Sequence, residues 1–161
     1  MKTHSGILPW TKSCFVCGEN NPHGLRLRSR LESGRIILEH EIREADVGYN
    51  RILHGGIAAT LLDEVMTCAA IVASRKIFVA AEISIRLLGP IFVGEKIRVE
   101  GWVTKTGSRL CLTEGAIKNQ EDKVLITAAG KFMRMRAAQV KHAQEDFVIS
   151  PDAIHPKEIV G

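Results

Sequence analysis

The sequence predicts an α+β domain in which an antiparallel six-stranded sheet wraps around one long central helix. Two observations predict this class. A single run of small and apolar residues, at 54–74, has the length of a helix, whereas the other patterned segments are short and alternate in polarity. Short connections with turn residues separate the later strands, which favours antiparallel neighbours. Because one apolar helix needs a surface that covers its sides, a curled sheet completes the domain.

The predicted elements follow one another in a simple order. Residues 1–24 are rich in Gly, Pro and Asn and indicate an irregular leader, whereas residues 137–161 lose periodicity and indicate an extended or frayed C-terminal tail. Residues 25–136 form the domain between them. Two strands precede the helix and four follow it, at 25–31, 35–42, 77–88, 95–104, 109–118 and 123–135.

Composition and charge exclude several protein classes. The chain has 161 residues, of which 45% are hydrophobic and 25% charged, as is typical of one globular domain and not of a disordered chain. A net charge of +4 without an aromatic and basic motif does not indicate nucleic-acid binding. The first residues lack the apolar core of a secretory signal, so we expect a cytoplasmic protein with reduced cysteines. Asp63 and Glu64, near the centre of the helix, argue against a membrane span.

Two segments, "CFVCGENNPHGLRLR" and "NRILHGGIAATLLDE", resemble the hotdog-fold thioesterases of the phenylacetyl-CoA and 4-hydroxybenzoyl-CoA superfamily, and more narrowly its PaaI-like branch. The resemblance covers residues 14–135. It implies a hotdog fold and hydrolysis of an acyl-CoA thioester without a metal or cofactor. It also implies a homodimer whose sheets join, often paired again into a tetramer. The HGG motif and the helix carboxylate of the family fall on four residues of this chain, which are His54, Gly55, Gly56 and Asp63.

The chain departs from the pattern of this family at two positions. Many relatives place Asn six residues before the HGG histidine, where this chain has Gly48, and Asn50 lies two residues further on. Some relatives carry a Ser or Thr hydroxyl on the strand after the helix, where this chain offers Ala80. Both departures concern the groups that position the attacking water.

Thioester hydrolysis needs a donor for the developing oxyanion and a base or nucleophile at the acyl carbon. Glycines at a helix start present amides without an intrahelical partner, in the positive field of the helix dipole. We therefore expect Gly55 and Gly56 to form an oxyanion hole, with the Gly56 amide as the first donor. Asp63 is the predicted general base or nucleophile, in preference to Glu64, which points about 100° away around the helix.

The helix itself separates the two predicted catalytic groups. Gly56 and Asp63 share one face but lie about 10 Å apart along the axis, too far to address one carbonyl. A two-fold dimer with antiparallel helices would bring Asp63 of one chain opposite Gly56 of the other. Small side chains on the same face, at Ala59, Thr60 and Thr67, would permit that approach.

Other residues are secondary candidates for the site. His54 would either donate to the thioester carbonyl or order the turn before the helix, and Asn50 would orient water or substrate. CoA carries phosphates, so we expect basic residues at the mouth of the pocket, with Arg109 and Arg86 as candidates.

The cysteines of the leader do not by themselves predict a metal site. Cys14 and Cys17 supply two of the four ligands that zinc prefers, and a zinc site would need His23 or a residue of a partner chain. We expect an ordered loop with buried thiols and no metal.

The function predicted from the sequence is hydrolysis of a fatty-acyl or aryl-acyl CoA thioester. Two alternatives remain open at this point. A hotdog dehydratase would need its histidine and acid placed differently, and a non-catalytic protein that binds acyl-CoA or acyl carrier would not need the missing hydroxyl at position 80.

Overall fold

The computed structural model describes residues 5–161. Seven antiparallel strands form one sheet in the order β1-β2-β3-β5-β6-β7-β4. One long helix, α1, packs across one face of this sheet. The elements in chain order are β1 (Gly6–Ile7), β2 (Arg30–Glu32), β3 (Arg35–Glu41), a 3-10 turn (Glu44–Asp46), α1 (Gly55–Ser74), β4 (Phe78–Leu87), β5 (Lys96–Thr106), β6 (Leu110–Lys118), β7 (Val124–Arg134), α2 (Ala137–Glu145) and α3 (Pro156–Ile159).

The structure confirms the predicted fold class and corrects the strand count from six to seven. The additional strand, β1, is a two-residue segment of the leader that pairs with the start of β2. The strand predicted at 25–31 is shorter than expected, because the amides of Leu25 and Leu27 donate to the carbonyls of Phe15 and Val16 in the leader instead of to a strand. Residues 5–24 of the leader thus pack onto the domain.

The core lies between α1 and one face of the sheet. The buried side of α1 consists of small and branched side chains that follow a helical period, namely Ala58, Leu61, Leu62, Val65, Met66, Ala69 and Ala70. Each large aliphatic side chain buried in this way contributes roughly 1.5–3 kcal/mol. Gly101 on β5 allows the closest approach, because a Cβ there would lie 2.6 Å from the carbonyl group of Val65.

The opposite side of α1 is only partly covered within one chain. Its side chains at Ala59, Thr60, Asp63 and Thr67 are half-buried. By length and composition α1 is apolar enough to cross a membrane, a property that core helices share with spanning ones. In this fold the apolar side of α1 contacts the sheet, which accounts for its composition.

Strand β4 lies at one edge of the sheet, beside β7, and its other side is open. It pairs only with β7 among residues 5–161, and most of its ten residues are exposed. A long edge with free backbone groups is a ready site for pairing with another chain.

The expectation of an extended tail after residue 136 is wrong. The tail forms α2 and α3 and returns to the domain, where Ile159 and Val160 are buried and Arg75 donates to the Lys157 carbonyl. A local signal was present, because His155, Pro156 and Glu158 form a capped helix start. The segment is too short for periodicity to reveal it.

A buried carboxylate fixes the loop between β3 and α1. Asp46 is 1% exposed, and its side chain accepts hydrogen bonds from the Arg43 backbone amide at 2.9 Å and the Arg43 guanidinium at 2.8 Å. His40 Nε2 lies 2.8 Å from the same carboxylate. Burial would raise the pKa of Asp46, but the bonds from Arg43 and His40 outweigh it and lower the pKa to about 2. The carbonyl of Asp46 then accepts from the His54 amide at 2.8 Å.

We expect Asp46→Asn to lower the free energy of unfolding at pH 7 by about 3 kcal/mol, because it leaves the partners of a buried carboxylate without their counter-charge. Because the pKa of Asp46 is lower in the folded protein than in the unfolded chain, its ionised carboxylate stabilises the fold above about pH 4. This stabilisation is lost as the pH falls towards about 2. Urea unfolding followed by circular dichroism at pH 7 and pH 3 measures both effects. The wild-type protein should lose more stability over this interval than the variant.

The matched control is Asp122→Asn, since the side chain of Asp122 is 81% exposed and its left-handed backbone suits asparagine equally well. We expect the control to change the unfolding free energy by less than about 0.5 kcal/mol. Equal effects of the two substitutions would show that Asp46 does not hold the loop.

Candidate active site

The loop before α1 places His54 at the N-cap of the helix. The amide of Leu53 donates to Ile91 at 2.8 Å, and the amide of His54 donates to Asp46, so both sides of the turn are fixed. Gly48 lies against the His54 ring, where a Cβ would come within 3.0 Å of Cδ2. Glycine at position 48, one of the two departures from the family pattern, therefore leaves room for the imidazole.

The His54 ring caps the helix and occupies one of the two glycine amides. Its Nδ1 accepts from the Gly56 amide at 2.8 Å. The amide of Gly55 has no acceptor among residues 5–161. The sequence favoured the Gly56 amide as the first oxyanion donor, but this amide already donates to the His54 ring. The free amide at the helix start is that of Gly55. This contact fits the ordering of the turn, one of the two roles expected for His54, and uses only one of the two ring nitrogens.

Asp63 is a half-buried carboxylate on the partly covered side of α1. The hydroxyl of Thr67, one turn further on, donates to its Oδ1 at 3.2 Å. No Lys, Arg or His of residues 5–161 forms an ion pair with it. Burial raises the pKa of Asp63, and the bond from Thr67 offsets part of that rise. A carboxyl group whose pKa is raised by burial, without a cationic partner, is a candidate functional group.

Glu64 points to a different environment, as the helical angle predicts. Its Oε2 lies 3.9 Å from the Cys14 sulfur in the leader. Burial, followed by the nearby Cys14 sulfur, raises the pKa of Glu64 to about 8. The two adjacent acids thus belong to different sites, one on the open side of α1 and one beneath the leader.

Gly55 and Asp63 do not meet within one protomer. They stand on one regular helix, so their positions along its axis differ by about 12 Å. A thioester carbonyl that accepts from the Gly55 amide is out of reach of Asp63 on the same chain.

The secondary candidates lie in separate parts of the structure. Asn50 lies exposed in the turn between Tyr49 and Ile52, and Ala80 lies exposed on β4 beside an irregularity in the pairing with β7. Arg86 is an exposed residue of β4, and alternation along the strand directs it to the face of the sheet opposite α1. Arg109 precedes β6, at the end of the sheet that lies about 26 Å along the strands from Leu87 and the start of α1.

Exposed apolar residues beside the helix start were not singled out from the sequence. Leu87 and Leu88, at the end of β4, are 61% and 57% exposed. Leu87 reaches the helix start, because a Cβ on Gly55 would lie 3.8 Å from its Cδ1. Phe92 in the following loop is also exposed. The alternation of residues along the strand did not indicate that Leu87 and Leu88 are exposed, because the burial of a strand end depends on what packs against it.

Comparison with known proteins places the chain in a family. The sequence pattern of the thioesterase superfamily matches residues 50–126, which contain the HGG turn, α1 and most of the sheet. Acyl-coenzyme A thioesterase 13 of Homo sapiens is 31% identical over 94 residues, which span 58% of this chain and 67% of that protein.

Solved structures share the fold. The PaaI protein of E. coli, from the phenylacetic acid degradation operon, superposes with a TM-score of 0.60 at 22% identity, over 68% of this chain and 78% of that one. A hypothetical thioesterase from Streptococcus pneumoniae, solved with coenzyme A, gives a TM-score of 0.61 at 20% identity, over 65% and 83% of the two chains. The helix start, the free glycine amide and the half-buried acid lie within the matched region, and the chain belongs to the thioesterase superfamily as a thioester hydrolase with the PaaI-type hotdog fold.

Proposed function

We propose that the protein hydrolyses acyl-CoA thioesters to a free acid and CoA, in active sites shared between two protomers. The observation that carries this proposal is the half-buried Asp63 carboxylate without a cationic partner, on a helix whose first amide, at Gly55, has no acceptor among residues 5–161. These are the two groups that thioester hydrolysis requires.

In the proposed reaction, the Gly55 amide and the Asp63 carboxylate have separate roles. The Gly55 amide, in the positive field at the start of α1, stabilises the negative charge that develops on the thioester oxygen. Asp63 accepts a proton from water as the water oxygen bonds to the acyl carbon. The tetrahedral intermediate then collapses, the carbon–sulfur bond breaks, and the CoA thiolate takes up a proton. If Asp63 instead attacks the acyl carbon itself, water cleaves the resulting anhydride in a second step.

The proposed dimer follows from two uncovered surfaces. The side chains around Asp63 on α1 are small, which allows a second helix to approach closely. The free edge of β4 offers backbone groups to the same strand of a second copy, and a two-fold axis there would join the two sheets. Antiparallel packing of the two α1 helices would place Asp63 of one protomer opposite the Gly55 amide of its partner.

The exposed leucines at the end of β4 support an apolar acyl group. Leu87 lies beside Gly55, so an acyl chain that extends from the oxyanion site would contact it. The related human protein is named an acyl-coenzyme A thioesterase, and the pneumococcal structure contains coenzyme A. Arg109 and Arg86 remain the proposed ligands of the CoA phosphates, although neither lies beside the helix start of its own protomer.

We expect Asp63→Asn to lower kcat by about 100-fold or more, because the amide cannot accept a proton from water. Thiol release from an acyl-CoA measures the rate, and unchanged melting temperature confirms the fold. In the wild-type protein, kcat should fall on the acid side with a pKa above the ordinary aspartate value, because burial of Asp63 raises its pKa. Loss of turnover in Glu64→Gln, with Asp63→Asn still active, would contradict the assignment.

A pair of substitutions at Gly55 tests the oxyanion donor without altering the helix. Gly55 is the first helical residue, where proline is well tolerated, and the ψ of 131° at His54 suits a residue before proline. Gly55→Pro removes the N–H and should lower kcat by about 100- to 1000-fold.

Gly55→Ala is the matched control, since it adds a Cβ in ordinary contact with Leu87 and keeps the N–H. We expect its kcat to stay within about threefold of the wild-type value, because the donor of the developing charge is intact. Equal kcat values for the proline and alanine variants would remove the Gly55 amide from the mechanism.

A panel of short, medium, long and aryl acyl-CoA substrates tests the reaction itself. We expect hydrolysis of at least one class, with kcat/KM that rises with apolar acyl surface, because Leu87 and Leu88 border the site. Binding of these substrates without thiol release from any of them would instead identify a non-catalytic acyl-CoA binding protein.

A further inference from the structure

The leader and the central helix bring three metal-binding side chains together. The Cys14 sulfur, the Cys17 sulfur and a carboxylate oxygen of Glu64 all lie within 4.8 Å of one another. The shortest sulfur–oxygen separation, between Cys14 and Glu64, is 3.9 Å. Cys17 is buried, and the other two residues are partly buried. The cluster lies away from the predicted catalytic carboxylate, because Glu64 and Asp63 point about 100° apart on α1.

The loop that carries the two cysteines is shaped to hold both sulfurs on one side. The amides of Val16 and Cys17 donate to the Cys14 sulfur at 3.3 and 3.5 Å. The Gly18 amide donates to the Cys14 carbonyl at 2.8 Å. Any side chain at Gly18 would collide with that turn, since its Cβ would meet the backbone of Cys14 and Lys12. Arg28 also holds the loop, because its guanidinium donates to the Cys17 carbonyl at 2.6 Å.

The cluster concentrates acidic groups without a compensating cation. No Lys, Arg or His within residues 5–161 forms an ion pair with these three groups. A divalent cation would offset two of the three negative charges that the two thiolates and the carboxylate carry as ligands.

We propose that Cys14, Cys17 and Glu64 bind one zinc ion, which fixes the leader to α1. Two thiolates and one carboxylate favour zinc over the oxygen-seeking magnesium and calcium. In a tetrahedral zinc site a sulfur and an oxygen ligand lie about 3.5 Å apart, so the observed separation needs only a small side-chain rotation. The fourth position is open to water or to Cys68, which lies one turn beyond Glu64 on the same side of α1.

This site gives the adjacent acids of α1 separate tasks. Asp63 faces the proposed interface between protomers, and Glu64 anchors the segment that precedes the sheet. In this proposal the third ligand comes from a distant helix and not from His23, the residue considered in the sequence. The zinc proposal does not depend on thioester hydrolysis, since neither Asp63 nor Gly55 contributes to it.

Zinc binding to the full chain tests the proposal directly. Protein purified with reductant and stripped with a chelator is titrated with ZnCl2 against a chromophoric zinc chelator. We expect one zinc per chain and a rise in melting temperature on binding, since a ligand of the folded state stabilises it. Replacement by Co2+ should produce a sulfur-to-metal charge-transfer band in the near ultraviolet, which only thiolate ligands give.

Ligand substitutions show which residues hold the ion. Cys14→Ser and Cys17→Ser should each weaken zinc binding by about 100-fold or more, and the isosteric Glu64→Gln by at least about 10-fold. Asp63→Asn is the matched control for Glu64→Gln, because it neutralises the neighbouring acid outside the cluster. Cys111→Ala, which removes a buried thiol on β6, is the control for the cysteines. Both controls should bind zinc with affinity within about twofold of the wild type and show the same cobalt band.

Three results would overturn the proposal. The first is no bound zinc in the stripped and reduced protein at equimolar metal. The second is equal zinc affinity in Glu64→Gln and the wild type, which would exclude the carboxylate. The third is a Cys14–Cys17 disulfide in the native protein that persists after mild reduction. Loss of zinc with full thioesterase activity, or the reverse, would separate this site from the proposed function.

Discussion

A rigid helix keeps the Gly55 amide and the Asp63 carboxylate about 12 Å apart, and the proposed chemistry depends on that separation. One thioester carbonyl cannot reach both groups on one chain, so the proposed mechanism takes the donor and the acid from two copies. Other features of the fold agree with this requirement. The side of α1 that carries Asp63 bears small residues and is only partly covered, and the strand at the edge of the sheet, β4, is long and unpaired on one side among residues 5–161.

The environment of each acid on α1 follows from its angular position. Asp63 lies on the open side, where burial raises its pKa and only the Thr67 hydroxyl contacts it. Glu64 lies beneath the leader, in contact with the Cys14 sulfur. A shift of one residue along the helix therefore places the acid proposed for proton transfer and the acid proposed for metal binding in different surroundings. Neither acid has the cationic partner within the described chain that a purely structural buried carboxylate normally needs, in contrast to Asp46, which has Arg43 and His40.

The sequence predicted the parts of this fold that periodicity controls. The apolar run at 54–74, and the alternation of the strands after it, identified α1 and four strands close to their observed bounds. Features that depend on contacts between distant segments could not be predicted from the sequence. The Cys14 and Glu64 contact joins the leader to the middle of α1, and the His54 ring takes the Gly56 amide because Gly48 and Asp46 shape the turn around it. The short helices after residue 136 carry too few buried residues to produce a period.

Mixed dimers test the shared active site most directly. Dimers with Gly55→Pro in one protomer and Asp63→Asn in the other can be isolated through two different affinity tags. If Asp63 acts across the two-fold axis, such a dimer contains one site with both defects and one site with none. We expect the mixed dimer to have about half of the wild-type turnover, although both parent proteins are nearly inactive, because one of its two symmetric sites is intact. Turnover no higher than the mean of the two parents would mean that each site is built from one chain, and would rule out the shared active site.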